Sequence, residues 1–439
     1  MVRTLPPGPP LPALLQAGLL WLDPIRFVHA CHRRYGDRFT IRIPGIGTLV
    51  FLTDPEDIRS VARGDPAIFH AGEAATPLGE VLGAKSLIRL DDKKHRRSRG
   101  MMLPAFHGDS VRRQVAEMVA VTADDVARWP VGEQFPLYPR MQRITLEVIL
   151  RTVIGVHDES RLAALRTALP PMLEIGSPLE LIPPPQVLRR FGPWRRRAQR
   201  NAAARALLAD EITRCRQDPQ LSHRTDALAM LVRNVDGAGV PMADDELVDQ
   251  LVTLLLAGHD TTATALSWAF ERLTRDPALL DRTAQAAADS DDVWLDAVCK
   301  ETLRVRPVVF EFARKLTAPV QLAGYHIPAG IILAPSINLV HHSNRHYPDP
   351  DVFRPQRFLD QRADPAVWLP FGGGVRRCLG ATFAQVEMRT VLREVLRRIE
   401  LSSTTAPDES VKPRHVTMVP SQGAMVTVRR RIAAADRVA

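Results

Sequence analysis

The segment Phe371-Gly372-Gly373-Gly374-Val375-Arg376-Arg377-Cys378-Leu379-Gly380 surrounds one cysteine with residues that give access rather than packing. Glycines in such a loop let backbone N–H groups approach a sulfur and leave a flat face clear where β-carbons would intrude. A free cysteine, with a pKa of about 8.5, is mostly protonated at neutral pH, whereas a metal and amide donors hold it as the thiolate. The chemistry this suits is a thiolate bound to a metal whose other ligands lie in one plane, as in a haem. Phe371 would then shield the sulfur and Arg376 would meet a carboxylate of the bound group. As a plain packing residue, Cys378 would be a small buried hydrophobe in a turn, which is what most free cysteines are.

Other reactive side chains fall on helical faces. In Glu301-Thr302-Leu303-Arg304 the i, i+3 spacing aligns Glu301 with Arg304, although an exposed ion pair would account for those two alone. From Asp244 to Arg275 the pattern is helical, with Leu247, Leu251, Leu254 and Leu255 on an apolar face, acids in the first turn and Asp276-Pro277 as a stop. Some 32 residues, or roughly 48 Å, would cross a whole domain. Its middle, Ala257-Gly258-His259-Asp260-Thr261-Thr262, is a poor helix sequence, and broken local rules mark functional places. Gly258 would clear space, and a threonine hydroxyl can bond an upstream carbonyl and open the helical ladder. A lone helix histidine such as His259 is usually structural. The basic run Leu90–Arg99 ends in a His-x-x-x-Arg spacing that sets His95 and Arg99 one turn apart on one face.

Together these residues resemble the cytochrome P450 family. Every fixed position of its haem-ligand signature, Phe-x-x-Gly-x-Arg-x-Cys-x-Gly, is present in 371–380, and Glu301 with Arg304 matches its Glu-x-x-Arg. The resemblance implies a mainly α fold with a small β-rich lobe, holding haem b between the long central helix and the cysteine loop. It makes Cys378 the iron ligand, with Phe371, Gly372, Arg376 and Gly380 around the haem, and sets Ala257 and Gly258 on its other face. It maps an acid–alcohol pair onto Asp260 and Thr261, which deliver protons for oxygen activation, Thr262 being the neighbour most easily confused with Thr261. It assigns His95, Arg99 and, more weakly, Arg314 to the haem propionates. Arg357, in Phe353-Arg354-Pro355-Gln356-Arg357-Phe358, would complete an ionic cluster with Glu301 and Arg304.

The activity implied is monooxygenation, inserting one atom of O2 into an apolar small molecule by hydroxylation or epoxidation. Electrons would come from a separate ferredoxin and reductase, no reductase module being recognisable in the chain. A peroxide-driven or rearranging relative, or a non-catalytic haem sensor or carrier, are the alternatives, and the Asp260-Thr261 pair argues against each. By family likeness the pocket walls map loosely to Phe69–Leu87, Met172–Phe191, Leu254–Thr261 and Val308–Phe312. They are mostly apolar, with Glu311 as an exception that either meets a polar substrate group or faces away. Sterol, terpene, fatty acyl and polyketide substrates all remain open. Pro170-Pro171 and Pro183-Pro184-Pro185, followed by Arg189, Arg190 and Arg195 to Arg197, read as an unusual lid, for which a solvated basic helix is preferred to a membrane-touching one.

Composition agrees. The chain has 439 residues, and no Gly/Ser linker, repeat or low-complexity block divides it, so one haem domain over 1–439 is expected. Cys31, Cys215, Cys299 and Cys378 are scattered and too few for a disulfide framework, which fits a reducing cytoplasm. A Pro-rich lead-in occupies 1–22. Its apolar run from Leu11 to Leu22 is interrupted by Pro12 and Gln16 and falls short of the ~20 residues a spanning helix needs, so no transmembrane anchor is expected. The net charge is +9, carried almost wholly by arginine. No aromatic stacking platform accompanies it, which argues against nucleic acid. Lys93, Lys94, Arg96, Arg97 and Arg377 are expected to group on the thiolate side, where they would steer an acidic electron carrier to a monomeric enzyme. Alternation over Arg38–Ile43 and Thr48–Leu52 about Gly45-Ile46-Gly47 predicts a hairpin. Short strands are expected near 320–321, 325–327 and 331–333, and Val416–Pro420 with Met425–Arg429 predicts a second hairpin about Gly423.

Overall fold

The computed structural model describes residues 4–75, 79–173, 192–359, 364–414 and 416–433. Of the lid, Pro183, Pro184, Pro185, Arg189 and Arg190 lie outside these residues. Seven helices carry the functional argument: α1 (Ala13–Leu22), α2 (Pro24–Tyr35), α3 (Asp92–Met102), α4 (Tyr138–Ile149), α5 (Asp244–Thr274), α6 (Asp292–Val305) and α7 (Ala381–Arg398). The strands are β1 (Arg38–Ile43), β2 (Gly47–Leu52), β3 (Phe69–His70), β4 (Gln134–Pro136), β5 (Arg314–Leu316), β6 (Val320–Leu322), β7 (Tyr325–Ile327), β8 (Ile332–Pro335), β9 (Ile399–Leu401), β10 (Val411–Arg414), β11 (Thr417–Pro420) and β12 (Met425–Arg431).

The 31-residue α5 forms the axis of the fold. Asp244, Asp245 and Glu246 in its first turn complement the positive end of the helix dipole. Leu247, Leu251, Leu255, Leu266, Phe270 and Leu273 along it are fully buried, because α4, α6, α7 and β11 pack around it. A helix covered on nearly all sides can be apolar all round, which is why its sequence departs from a simple stripe.

The small lobe is a five-stranded sheet in the order β1-β2-β8-β5-β3. The expected first hairpin is there, with Phe39 opposite Phe51 and their rings stacked at 5.1 Å. Ahead of it, the proline-rich stretch lies along β1, where Thr40 donates its amide to the Pro7 carbonyl and its hydroxyl to that of Pro6.

The C-terminal segment departs from expectation. β11 and β12 do not form a hairpin: β11 pairs with β10, and β12 pairs with β4 and β9. The buried Glu409 carboxylate accepts the amides of Gln422, Ala424 and Met425, so the turn is satisfied by a side chain and the chain leaves the ladder. β10 contains Pro413, which obscured it as a strand.

Candidate functional site

The cysteine loop is folded by its own backbone. Cys378 donates its amide to Phe371 O at 2.9 Å and Arg377 donates to Gly374 O at 3.1 Å, closing the loop onto itself. Gly374 has φ +64°, and a β-carbon there would collide with the Ala62 carbonyl, so this glycine is needed for close approach to the helix Pro55–Arg63. At Gly372 and Gly380 a β-carbon would meet nothing within 4 Å, leaving open space beside the sulfur-bearing turn. Phe371 packs edge-on against Trp368, and the Arg377 guanidinium lies over its ring.

Cys378 is accessible, while Cys31, Cys215 and Cys299 are buried. Desolvation by the surrounding fold nevertheless pushes the Cys378 thiol up, opposed by the Gly380 N–H and by the charges of Arg377 and Arg99. Accessible surface amid desolvating surroundings is what an interior chamber produces. Glu311 shows the same combination: it is exposed by area, yet desolvation alone raises its pKa to about 7. Ala257 is exposed in the middle of α5, between the fully buried Leu255 and Ala263.

Beside the loop the fold gathers cations. His95 is buried on α3, its pKa lowered to about 3 by desolvation and by Arg376, Arg99 and Arg314. Arg314, at the start of β5, is buried with its pKa brought down to about 10 by desolvation and Arg376. It lies over Phe312, donates to the Ala313 carbonyl, and makes no ion pair among the described residues. Arg376 bonds the Asp91 carboxylate and the Leu90 carbonyl. Asp91 in turn accepts amides from Ala71, Gly72 and Glu73. Of these groups only Arg376 is paired with a carboxylate among the described residues, so Arg99, Arg314 and His95 leave a donor set that fits two further carboxylates.

At the centre of α5 the Thr261 hydroxyl donates to the Ala257 carbonyl at 2.5 Å, the back-bond expected from its sequence. Gly258 sits where a β-carbon would press on Ile149 at 3.1 Å. Asp260 points elsewhere. Its carboxylate accepts from the Tyr138 hydroxyl, from Gln142 Nε2 at 3.1 Å and from the Thr417 hydroxyl at 2.9 Å. Thus Asp260 and Thr261, adjacent in sequence, have side chains held by different partners. His259 is structural, as expected: it is buried, bonded to Thr145, and its pKa is lowered to about 4 by desolvation.

Glu301, Arg304 and Arg357 lie together. Glu301 and Arg304 are fully buried and joined by two hydrogen bonds of 2.7 and 2.8 Å, with Arg357 Nε 3.4 Å from Glu301. Arg304 also donates to the carbonyls of His341, Pro350 and Val352. His341 Nδ1 meets Arg304 O at 3.1 Å, while its Nε2 accepts the Leu369 amide at 3.0 Å. The cluster is thereby linked to the residues that lead into the cysteine loop.

Comparison with known proteins agrees with this geometry. Residues 5–428 match the family model described as Cytochrome P450. A chain of Mycobacterium tuberculosis H37Rv bearing the name cytochrome P450 135B1 is 52% identical over 97% of this chain and 91% of its own length. Another from that strain, named cytochrome P450 135A1, is 40% identical over 96% and 94%. The chain belongs to the cytochrome P450 family. Among solved structures, the retinoic acid bound cyanobacterial CYP120A1 superposes with a TM-score of 0.83 at 24% identity, covering 98% of this chain and 100% of its own, and shows the shared fold. As a P450, the chain is of a class that carries haem and uses O2 and a redox partner in monooxygenation.

Several residues of this P450 site were not legible as such. Asp91 reads in the sequence as one acid in a basic run, and Tyr138, Gln142 and Thr417 reach Asp260 from distant segments. On α7, Glu387 is fully buried with neither carboxyl oxygen hydrogen-bonded. The Thr262 hydroxyl is near enough to favour its charged form, yet desolvation raises its pKa to about 8. One expectation is corrected. Arg97 does not belong to a free basic face, because its guanidinium is held by Asp236 at 2.6 Å and Glu246 at 3.1 Å, whereas Lys93, Lys94 and Arg96 are exposed. The physical reason is helical phase, which turns Arg97 and Ser98 toward the start of α5.

Proposed function

We propose that this P450 is a haem-thiolate monooxygenase in which Cys378 binds the iron of haem b within a single haem domain. The observation that carries the reading is Cys378 itself, accessible in a glycine-lined turn with the Gly380 N–H on its sulfur. The sulfur lies just before the N-terminus of α7, whose dipole also favours a thiolate. When bound, the haem supplies dioxygen binding and the oxidising power for oxygen insertion. His95, Arg99, Arg314 and Arg376 would hold its propionates, with Asp91 fixing Arg376. Phe371, Gly372 and Gly380 would border it on the thiolate side, and Ala257 and Gly258 on the other. Glu301, Arg304 and Arg357 keep the cysteine loop seated through His341.

Thr261 orders the proton donor at the oxygen side, and Asp260 supplies protons to it from its network with Tyr138 and Thr417. The substrate is an apolar small molecule. Glu311, neutral below about pH 7, is the polar contact a substrate hydroxyl or amine would find. Electrons arrive from a ferredoxin-type carrier docking near Lys93, Arg96 and Arg377. The test is the carbon monoxide difference spectrum of the reduced protein beside that of Cys378→Ser. A thiolate-type band in the parent that vanishes in the variant supports the proposal, and a band that survives the substitution refutes it.

A further inference from the structure

Helix α1 is inside out for a helix on a water-soluble surface. Its sequence, ALLQAGLLWL, contains one side chain with hydrogen-bonding groups on an aliphatic stem, Gln16, and that residue is the one fully buried. Gln16 donates to the carbonyls of Leu11 at 2.7 Å and Pro9 at 3.3 Å and accepts the Arg42 amide at 2.9 Å, so it is the pin that fastens α1 to β1. Ala17 and Leu20 pack on the cluster of Phe39, Ile41 and Ile43. The remaining large side chains face outward: Leu14 is 76% exposed, Leu22 84% and Trp21 50%, with Leu11, Leu15 and Leu19 exposed beside them. Single exposed leucines are ordinary, but a helix that buries its amide and presents its leucines is an unpartnered apolar face.

The charges around this face select its partner. Arg42, whose amide is bonded to Gln16, and Arg26, in the first turn of α2, are both exposed and make no ion pair among the described residues, while Asp23 between α1 and α2 caps α2 by accepting the Arg26 amide. α1 itself carries no charge. An apolar ridge bordered by arginine, with a tryptophan among its leucines, matches the boundary between the headgroups and acyl chains of an anionic bilayer. Ten residues span only about 15 Å, far short of a bilayer, so such a helix lies in the interface plane. No helix among the described residues is long and apolar enough to cross a membrane.

We propose that α1, flanked by Arg26 and Arg42, docks this P450 peripherally on anionic lipid surfaces, with its leucines in the acyl boundary. The assay is co-sedimentation of the full chain with vesicles of phosphatidylcholine alone or mixed with phosphatidylglycerol, together with quenching of Trp21 by bromine-labelled lipid, using Trp21→Phe to isolate its signal. The expected result is partition onto the mixed vesicles, weakened by salt, with Trp21 quenched. Leu14→Gln with Leu22→Gln should cut that partition by about 100-fold, since each leucine contributes roughly a factor of ten. Arg26→Gln with Arg42→Gln should cut it by about 30-fold and leave the phosphatidylcholine arm unchanged. An unaltered absorption spectrum in each variant shows that the fold is intact. No partition, partition that survives the leucine replacements, or self-association in sedimentation equilibrium that the leucine replacements abolish while vesicles are ignored would each overturn the proposal. The last outcome would assign the face to a second copy of the chain.

Discussion

Glu387 offers a quantitative check on the interior of this P450. Its carboxyl group is fully buried with neither oxygen bonded, and desolvation raises its pKa from the ordinary 4.5 to about 8. The unfolded chain therefore gives up this proton at lower pH than the folded one. Between those two values the folded state binds more protons, so stability falls as pH rises, by as much as ~1.4 kcal/mol per pH unit. Integrated from pH 5 to pH 8 this amounts to about 3–4 kcal/mol. An unfolding entropy of ~2.1 cal/mol/K per residue, over a chain of this length, turns that into a melting shift of about 4 °C. Glu387→Gln keeps the shape and cannot ionise. The amide adds an offset independent of pH, so the readout is the difference between the two melting curves, with other titrating groups cancelling. The gap should move by about 4 °C in favour of the variant between pH 5 and pH 8, followed by differential scanning fluorimetry. Parallel curves across that range would mean that the carboxylate is solvated in the fold and that the burial argument is wrong.

Four further outcomes follow from the site. Cys378→Ser should eliminate the thiolate-type carbon monoxide band, because a serine oxygen does not donate charge to iron as a thiolate does. Thr261→Ala should retain the haem spectrum but lower the product formed per reduced cofactor consumed, with the difference recovered as hydrogen peroxide; unchanged coupling would move the role to another group. Lys93→Glu with Arg96→Glu, on the exposed face of α3, should slow electron transfer at low salt and converge on the parent rate at high salt, while substrate-induced spin-state changes stay the same. Glu311, with its pKa raised to about 7, should make apolar ligands bind less tightly as pH rises through 7, since ionisation puts a charge in the chamber, and Glu311→Gln should flatten that dependence in a spin-state titration.

What was legible in the chain was whatever nearby residues decide. The length of α5 follows from its acidic first turn and its Asp-Pro stop, and the back-bond of Thr261 from a hydroxyl four residues beyond a carbonyl. The β1–β2 hairpin follows from alternation around a Gly-x-Gly tip. The separate fates of β11 and β12 were not legible, because they depend on Glu409 capping amides 13 to 16 residues away. Arg97 misled for the same reason, as its partners Asp236 and Glu246 stand 139 and 149 residues downstream.

The acid–alcohol step shows how far motif and geometry can diverge within two residues. Consecutive helix positions are separated by about 100°, so Asp260 and Thr261 cannot face the same way. Thr261 turns along the helix to Ala257, and Asp260 turns outward to three donors from α4 and β11. A carboxylate with three donors is well solvated by protein, and a hydrogen bond to a charged group contributes about 1.5–3 kcal/mol. Swinging Asp260 toward Thr261 would forfeit several such bonds. Protons that reach Asp260 from Tyr138 or Thr417 leave these bonds in place, but passing them on to Thr261 does not. The partners brought in from α4 and β11 therefore set the cost of any relay that runs through Asp260 to Thr261.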